Sequence, residues 1–82
     1  MKIAYSKKAI KFLNQAPANE KARVIDKIKT YAKTPAALAN NVSKLQGRDG
    51  YKLRVGGVRV IFELSADTMN ILNIGHRGEI YD

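Results

Sequence analysis

The sequence predicts an α+β domain: a two-helix antiparallel hairpin packed on a curved, mainly antiparallel sheet of three to four strands, in the order β-α-α-β-β-β. Three observations carry this. Gly56-Gly57 separates two alternating runs in YKLRVGGVRVIFEL, residues 51 to 64, the pattern of a hairpin closed by a two-residue turn. Upstream of it, two apolar stripes recur at helical spacing. Downstream, Met69, Ile71, Leu72 and Ile74 make a further apolar run long enough for a last strand.

Each element follows from its residues. Lys2 to Tyr5 is short enough for an opening strand. Ser6 is a good N-cap, and Ala9, Phe12, Leu13 and Ala16 follow at i, i+3, i+4, i+7. Pro17 ends or restarts helical structure. Val24, Ile25, Ile28, Tyr31 and Ala32 form a second stripe, with Lys21, Lys27, Lys29 and Lys33 outside it, and Thr34-Pro35 closes that helix. Residues 36 to 50 read as a connector anchored by Val42 and Leu45. Ser65 to Thr68 make a turn before the last strand, whose register the pattern leaves open.

If Val55 and Val58 flank the glycine turn, counting outward sets Arg54 against Arg59, Leu53 against Val60, Lys52 against Ile61 and Tyr51 against Phe62. Alternation then gives one face Tyr51, Leu53, Val55, Val58, Val60, Phe62 and Leu64, a core. The other face carries Lys52, Arg54 and Arg59. Like charges set opposite one another destabilise a strand pair, and an anion relieves them. Taken alone, the same three residues also fit a solvated strand face.

Composition bounds the partners. At 82 residues the chain, 1 to 82, reads as one domain, and it has no cysteine for a disulfide or thiolate metal site. No apolar run approaches a membrane span and no leader opens the chain, so a cytoplasmic protein is expected. The formal charge is +8 and the pI near 10.0, which favours a polyanionic partner. Residues 1 to 43 hold nine basic and two acidic side chains, against six and five in residues 44 to 82. Lysines dominate the first half and suit electrostatic docking; arginines dominate the second and suit bidentate phosphate contacts. Candidate nucleic-acid contacts are therefore Lys21, Lys27, Lys44, Arg48, Lys52 and Arg54.

YKLRVGGVRVIFEL followed by IGHRGEIY closely resembles the RelE/ParE superfamily of bacterial toxins from toxin–antitoxin pairs, and the resemblance covers essentially the whole chain. It implies a RelE-like fold and a cognate antitoxin as partner. It also implies a monomer when alone, a hetero-oligomer with antitoxin, and operator DNA bound only through that complex. RelE-type members cut messenger RNA on the ribosome without metal or cofactor; ParE-type members poison DNA gyrase; an attenuated toxin serving autoregulation is a third reading. Carried onto this sequence, the RelE pattern makes Lys52, Arg54, Arg59, Arg77 and Tyr81 the catalytic candidates. Arg59 and Arg77 would hold the scissile phosphate, Lys52 or Arg54 would act as base, acid or charge stabiliser, and Tyr81 would stack on or orient a base. His76 joins them as a candidate for proton transfer. Arginine at position 54, where some members have lysine, leaves the general acid open, because a guanidinium hardly titrates.

Overall fold

The structure is a computed structural model, and it describes residues 1–80. Ser6 caps the first helix as its sequence requires, its Oγ accepting from the backbone N–H of Ala9 at 3.1 Å. Helix α1 spans Lys7–Gln15 and α2 spans Ala18–Lys33, with Pro17 at the N-cap of α2 and Pro35 opening a 3₁₀ segment, Pro35–Asn41, directly after it. Strands are β1 (Lys2–Tyr5), β2 (Val42–Lys44), β3 (Tyr51–Val55), β4 (Val58–Ser65) and β5 (Thr68–His76).

These strands form one sheet in the order β1-β5-β4-β3-β2. Only the β1–β5 pair is parallel; the rest is antiparallel. The sheet therefore has five strands rather than three or four. The added one is β2, three residues inside the stretch expected to be a connector. Val42, Ser43 and Lys44 pair with Leu53, Lys52 and Tyr51, and a run that short shows no alternation to read.

The hairpin register is the one obtained by counting from Gly56-Gly57, down to Arg54 opposite Arg59 and Tyr51 opposite Phe62. Gly56 has φ +60 and Gly57 does not lie at positive φ, the requirement of a type II′ turn, which places a glycine first. Both helices cover the Leu53–Val55–Val58–Val60–Phe62 face: Ala9 and Leu13 from α1 and Val24, Ile28, Tyr31 and Ala32 from α2 join one core with Met69, Ile71 and Ile74. Phe62 sits at its centre, with ring centroids 5.1 Å from Tyr31 and 5.5 Å from Tyr51. Burial pushes the Tyr31 hydroxyl above its ordinary pKa, with a smaller contribution from Tyr51. Leu64 has the right parity for the core but is 41% exposed: its partner Met69 on β5 is buried, but β3 ends at Tyr51, opposite Phe62, and leaves Leu64 without a neighbour on that side. No helix among the described residues is long and apolar enough to cross a membrane.

Candidate active site

The face of the sheet turned away from the helices carries Lys52, Arg54 and Arg59, as alternation requires. Arg54 and Arg59 are one step from the two-residue turn, a non-hydrogen-bonded pair whose side chains lie closest. The structure separates the two guanidiniums. Arg54 Nη2 donates to the Asn40 carbonyl at 3.3 Å, at the end of the 3₁₀ segment, while Arg59 Nη1 donates to the Gly56 carbonyl at 3.1 Å. Each arginine thus spends part of its donor fork on a backbone carbonyl, and neither has an acidic partner among the described residues. Lys52 is half-buried beside them, opposite Ile61.

The last strand brings up the tail, and its register turns on one irregularity. Phe62 pairs with Ile71, but the next residue of β4, Ile61, pairs with Asn73, leaving Leu72 as an extra residue in β5. A bulge of this kind reverses the alternation beyond it. Ile74 and His76 consequently share the helix side with Val60 and Val58, while Gly75 pairs with Arg59 on the open side. The backbone N–H of Arg77 continues the ladder, donating to the Gly57 carbonyl at 2.8 Å. Position 77 therefore falls on the open face, diagonal to Arg59. Arg77 is exposed, and no side-chain partner for it is found among the described residues.

The same bulge takes His76 away from the cationic face. Its Nε2 lies 3.1 and 3.2 Å from the two carboxylate oxygens of Glu20, at the start of α2. Its ring packs on Phe12 of α1 at 5.4 Å, and Glu79 Oε1 lies 3.8 Å from Nδ1. His76 joins two helices, a strand and the tail on the helix side, so the structure does not unite it with Lys52, Arg54 and Arg59. Glu79 thus faces His76 and not Arg77.

The other basic candidates divide between the two layers. Arg48 lies at a groove of about 340 Å³ on the open face, floored by Ile61, Leu72, Asn73 and Ile80 and rimmed also by Lys8 and Glu79. Lys44 lies opposite Tyr51, on that residue's face at the outer edge. Lys21 lines a shallow depression on the outside of α2 with Ile25 and Lys29, and Lys27 is half-buried on the same helix. Lys21 and Lys27 thus belong to the helical layer. Tyr81 lies outside the described residues. Sequence reasoning passed over Lys8 and the groove floor, because Lys7-Lys8 gives no sign of which lysine reaches the sheet.

Over residues 3–81 the chain matches the family described as the ParE toxin of type II toxin-antitoxin systems, parDE. The chain belongs to the ParE toxin family. Its fold is that of solved toxins. It superposes on a chain of the archaeal RelE–RelB complex from Pyrococcus horikoshii OT3 with a TM-score of 0.79 at 25% identity, covering 96% of this chain and 97% of that one. For the RelB–RelE antitoxin–toxin complex from Methanococcus jannaschii the TM-score is 0.75 at 25% identity, covering 96% and 95%. The isolated E. coli RelE toxin gives 0.74 at 18% identity, covering 92% and 82%, and speaks for the fold alone. No curated protein matches the chain significantly. The family and these folds make the chain the toxin component of a toxin–antitoxin pair.

Proposed function

We propose that this toxin is a cytoplasmic endoribonuclease that cuts messenger RNA on the ribosome, with the open face of the sheet as its active site. The observation that carries the reading is the convergence of Lys52, Arg54, Arg59 and position 77 around one hairpin, with Gly75 directly opposite Arg59. In metal-independent cleavage the 2′-hydroxyl attacks the adjacent phosphorus, passes through a phosphorane and expels the 5′-oxygen, leaving a 2′,3′-cyclic phosphate. Arg59 and Arg77 stabilise the charge gathering on the phosphorane, the role in which fixed cations contribute most. Arg54 adds charge but cannot cycle protons. Lys52 is the titratable cation of the hairpin, so it takes or returns the proton. Tyr81 stacks on or orients a base, Arg48 extends the contact along the groove, and the cognate antitoxin inhibits by covering this face. Together the pair binds operator DNA.

The match to a family named for parDE favours a second reading, a non-enzymatic inhibitor of DNA gyrase that uses the same basic surface to bind. Primer extension on a defined message in bacterial ribosomes separates the two. Discrete cuts within the codon in the decoding site, reduced roughly 100- to 1,000-fold by Arg77→Ala, are the expected result. A folded protein that is toxic when expressed yet leaves the message intact would overturn the nuclease reading in favour of gyrase.

A further inference from the structure

Arg23 belongs to no motif of the tail or the hairpin. It sits on α2, in the layer opposite the cationic face, and is exposed. Its guanidinium nevertheless reaches the hairpin tip, since a Cβ placed on Gly56 would lie 3.8 Å from Arg23 Nη2. Arg59 Nη1 already donates to the Gly56 carbonyl at 3.1 Å, and the Arg77 N–H donates to the Gly57 carbonyl at 2.8 Å. The guanidiniums of Arg23 and Arg59 and the backbone of Arg77 therefore meet around a turn that carries no side chain of its own.

The nearby acids among the described residues do not neutralise them. Glu20, one helical turn before Arg23, is held by His76 at 3.1 Å, and Glu79 faces the other ring nitrogen at 3.8 Å. Asp26, one turn after Arg23, forms no ion pair with it among the described residues. The Glu20–His76 contact also fastens the first turn of α2 to the end of β5, which fixes Arg23 relative to Arg77. A bare turn flanked by forked donors from both layers of the fold is a place where a strand's phosphate can approach the backbone closely.

We propose that Arg23 is a phosphate-binding residue that grips the phosphodiester of the message next to the scissile one, as the strand crosses the hairpin tip. This rests on the RNA-cleaving reading above. Arg59 and Arg77 serve the reacting phosphate from the open face; Arg23 reaches past the turn from the helical side, and so holds a neighbouring phosphate.

Single-turnover cutting on programmed ribosomes, titrated with toxin at several salt concentrations, tests it with Arg23→Ala, Arg23→Lys, Arg77→Ala and a control, Lys29→Ala. Lys29 is an exposed α2 lysine on the outer depression, so its loss removes the same charge elsewhere. Arg23→Ala is expected to raise the half-saturating toxin concentration roughly tenfold and to reduce the salt slope by about 0.7 to 0.9. The rate at saturation stays unchanged, Arg23→Lys recovers part of the loss, and Lys29→Ala behaves as the parent. A message with a neutral methylphosphonate at the neighbouring linkage is expected to cost the parent the same roughly tenfold and Arg23→Ala nothing more. Arg23→Ala matching Lys29→Ala, while Arg77→Ala still abolishes cutting, overturns the assignment of Arg23 alone. So does an additive loss on the neutral message. A parent protein that does not cut removes the nuclease reading and this inference with it.

Discussion

Replacing His76 with alanine asks whether this imidazole is a strut or a proton carrier. The ring bridges to Glu20 at 3.1 and 3.2 Å, with the side chains 44% and 19% exposed. A hydrogen bond to a charged group contributes about 1.5–3 kcal/mol when sheltered, and partial exposure brings this one to about 1 kcal/mol. The tilted contact with Phe12 at 5.4 Å adds ~0.5 kcal/mol. A loss of about 1.5 kcal/mol lowers the melting temperature of a domain this size by roughly 6–12 °C. Glu20→Gln should lose somewhat less, and a double-mutant cycle between the two positions should return a coupling of about 1 kcal/mol. Melting followed by circular dichroism near neutral pH measures the stability; message cutting well below the melting range measures function. The strut predicts a clear drop in melting temperature, with cutting retained to within roughly threefold. An unchanged melting temperature with cutting down roughly 100-fold or more, the scale of general acid–base catalysis, would refute the reasoning and return His76 to the chemistry.

Phe62→Ala empties the centre of the core, where Phe62 is fully buried between two tyrosine rings. It should cost about 3–5 kcal/mol in urea unfolding, enough to leave much of an 82-residue chain unfolded at ambient temperature. Gly50→Ala combines φ +118 with a Cβ 3.0 Å from the Phe62 carbonyl oxygen; a loss of about 2–4 kcal/mol is expected, and an unchanged unfolding midpoint would show that the loop has another conformation open to it. Ser6→Ala removes the cap on Ala9 and also the 2.7 Å donation from Oγ to the Leu72 carbonyl. About 2 kcal/mol should be lost from the thermal or urea midpoint, twice what a cap alone would give.

Local physics made the hairpin readable. A glycine pair allows the tight turn, and once the turn is set each residue's partner and face follow from pairwise counting, which is why Arg54 against Arg59 and the core list through Phe62 came from the sequence. The N-cap at Ser6 and the break at Pro17 were legible for the same reason. Strand β2 was not, because its three residues gain their conformation from the ladder with β3 and not from their own pattern. Leu64 shows the complementary failure: parity fixes the face of a strand residue, but whether that face is covered depends on where the neighbouring strand stops. Arg23 was hidden in another way. Its position on α2 looks like one more solvated charge, and only the packing angle of the helix over the hairpin brings it to Gly56.

The bulge at Leu72 is where the sequence pattern and the site part company. Strict alternation from Met69 and Ile71 would put residues 73, 75 and 77 on the helix side and His76 on the open side, beside Arg59. With Leu72 extra, it is Gly75 and Arg77 that face outward and His76 that faces the helices. The extra residue is held by α1: Ser6 N–H donates to the Ile71 carbonyl at 2.9 Å and Ser6 Oγ to the Leu72 carbonyl at 2.7 Å, so one serine both starts the helix and satisfies the bulged backbone. Gly75 then fits because Ile80 folds back over it, 3.3 Å from where a Cβ would stand. A histidine followed by an arginine thus becomes one structural contact and one exposed cation through a single inserted residue, and the cationic face owes its arginine from the tail to the cap of a helix in the opposite layer.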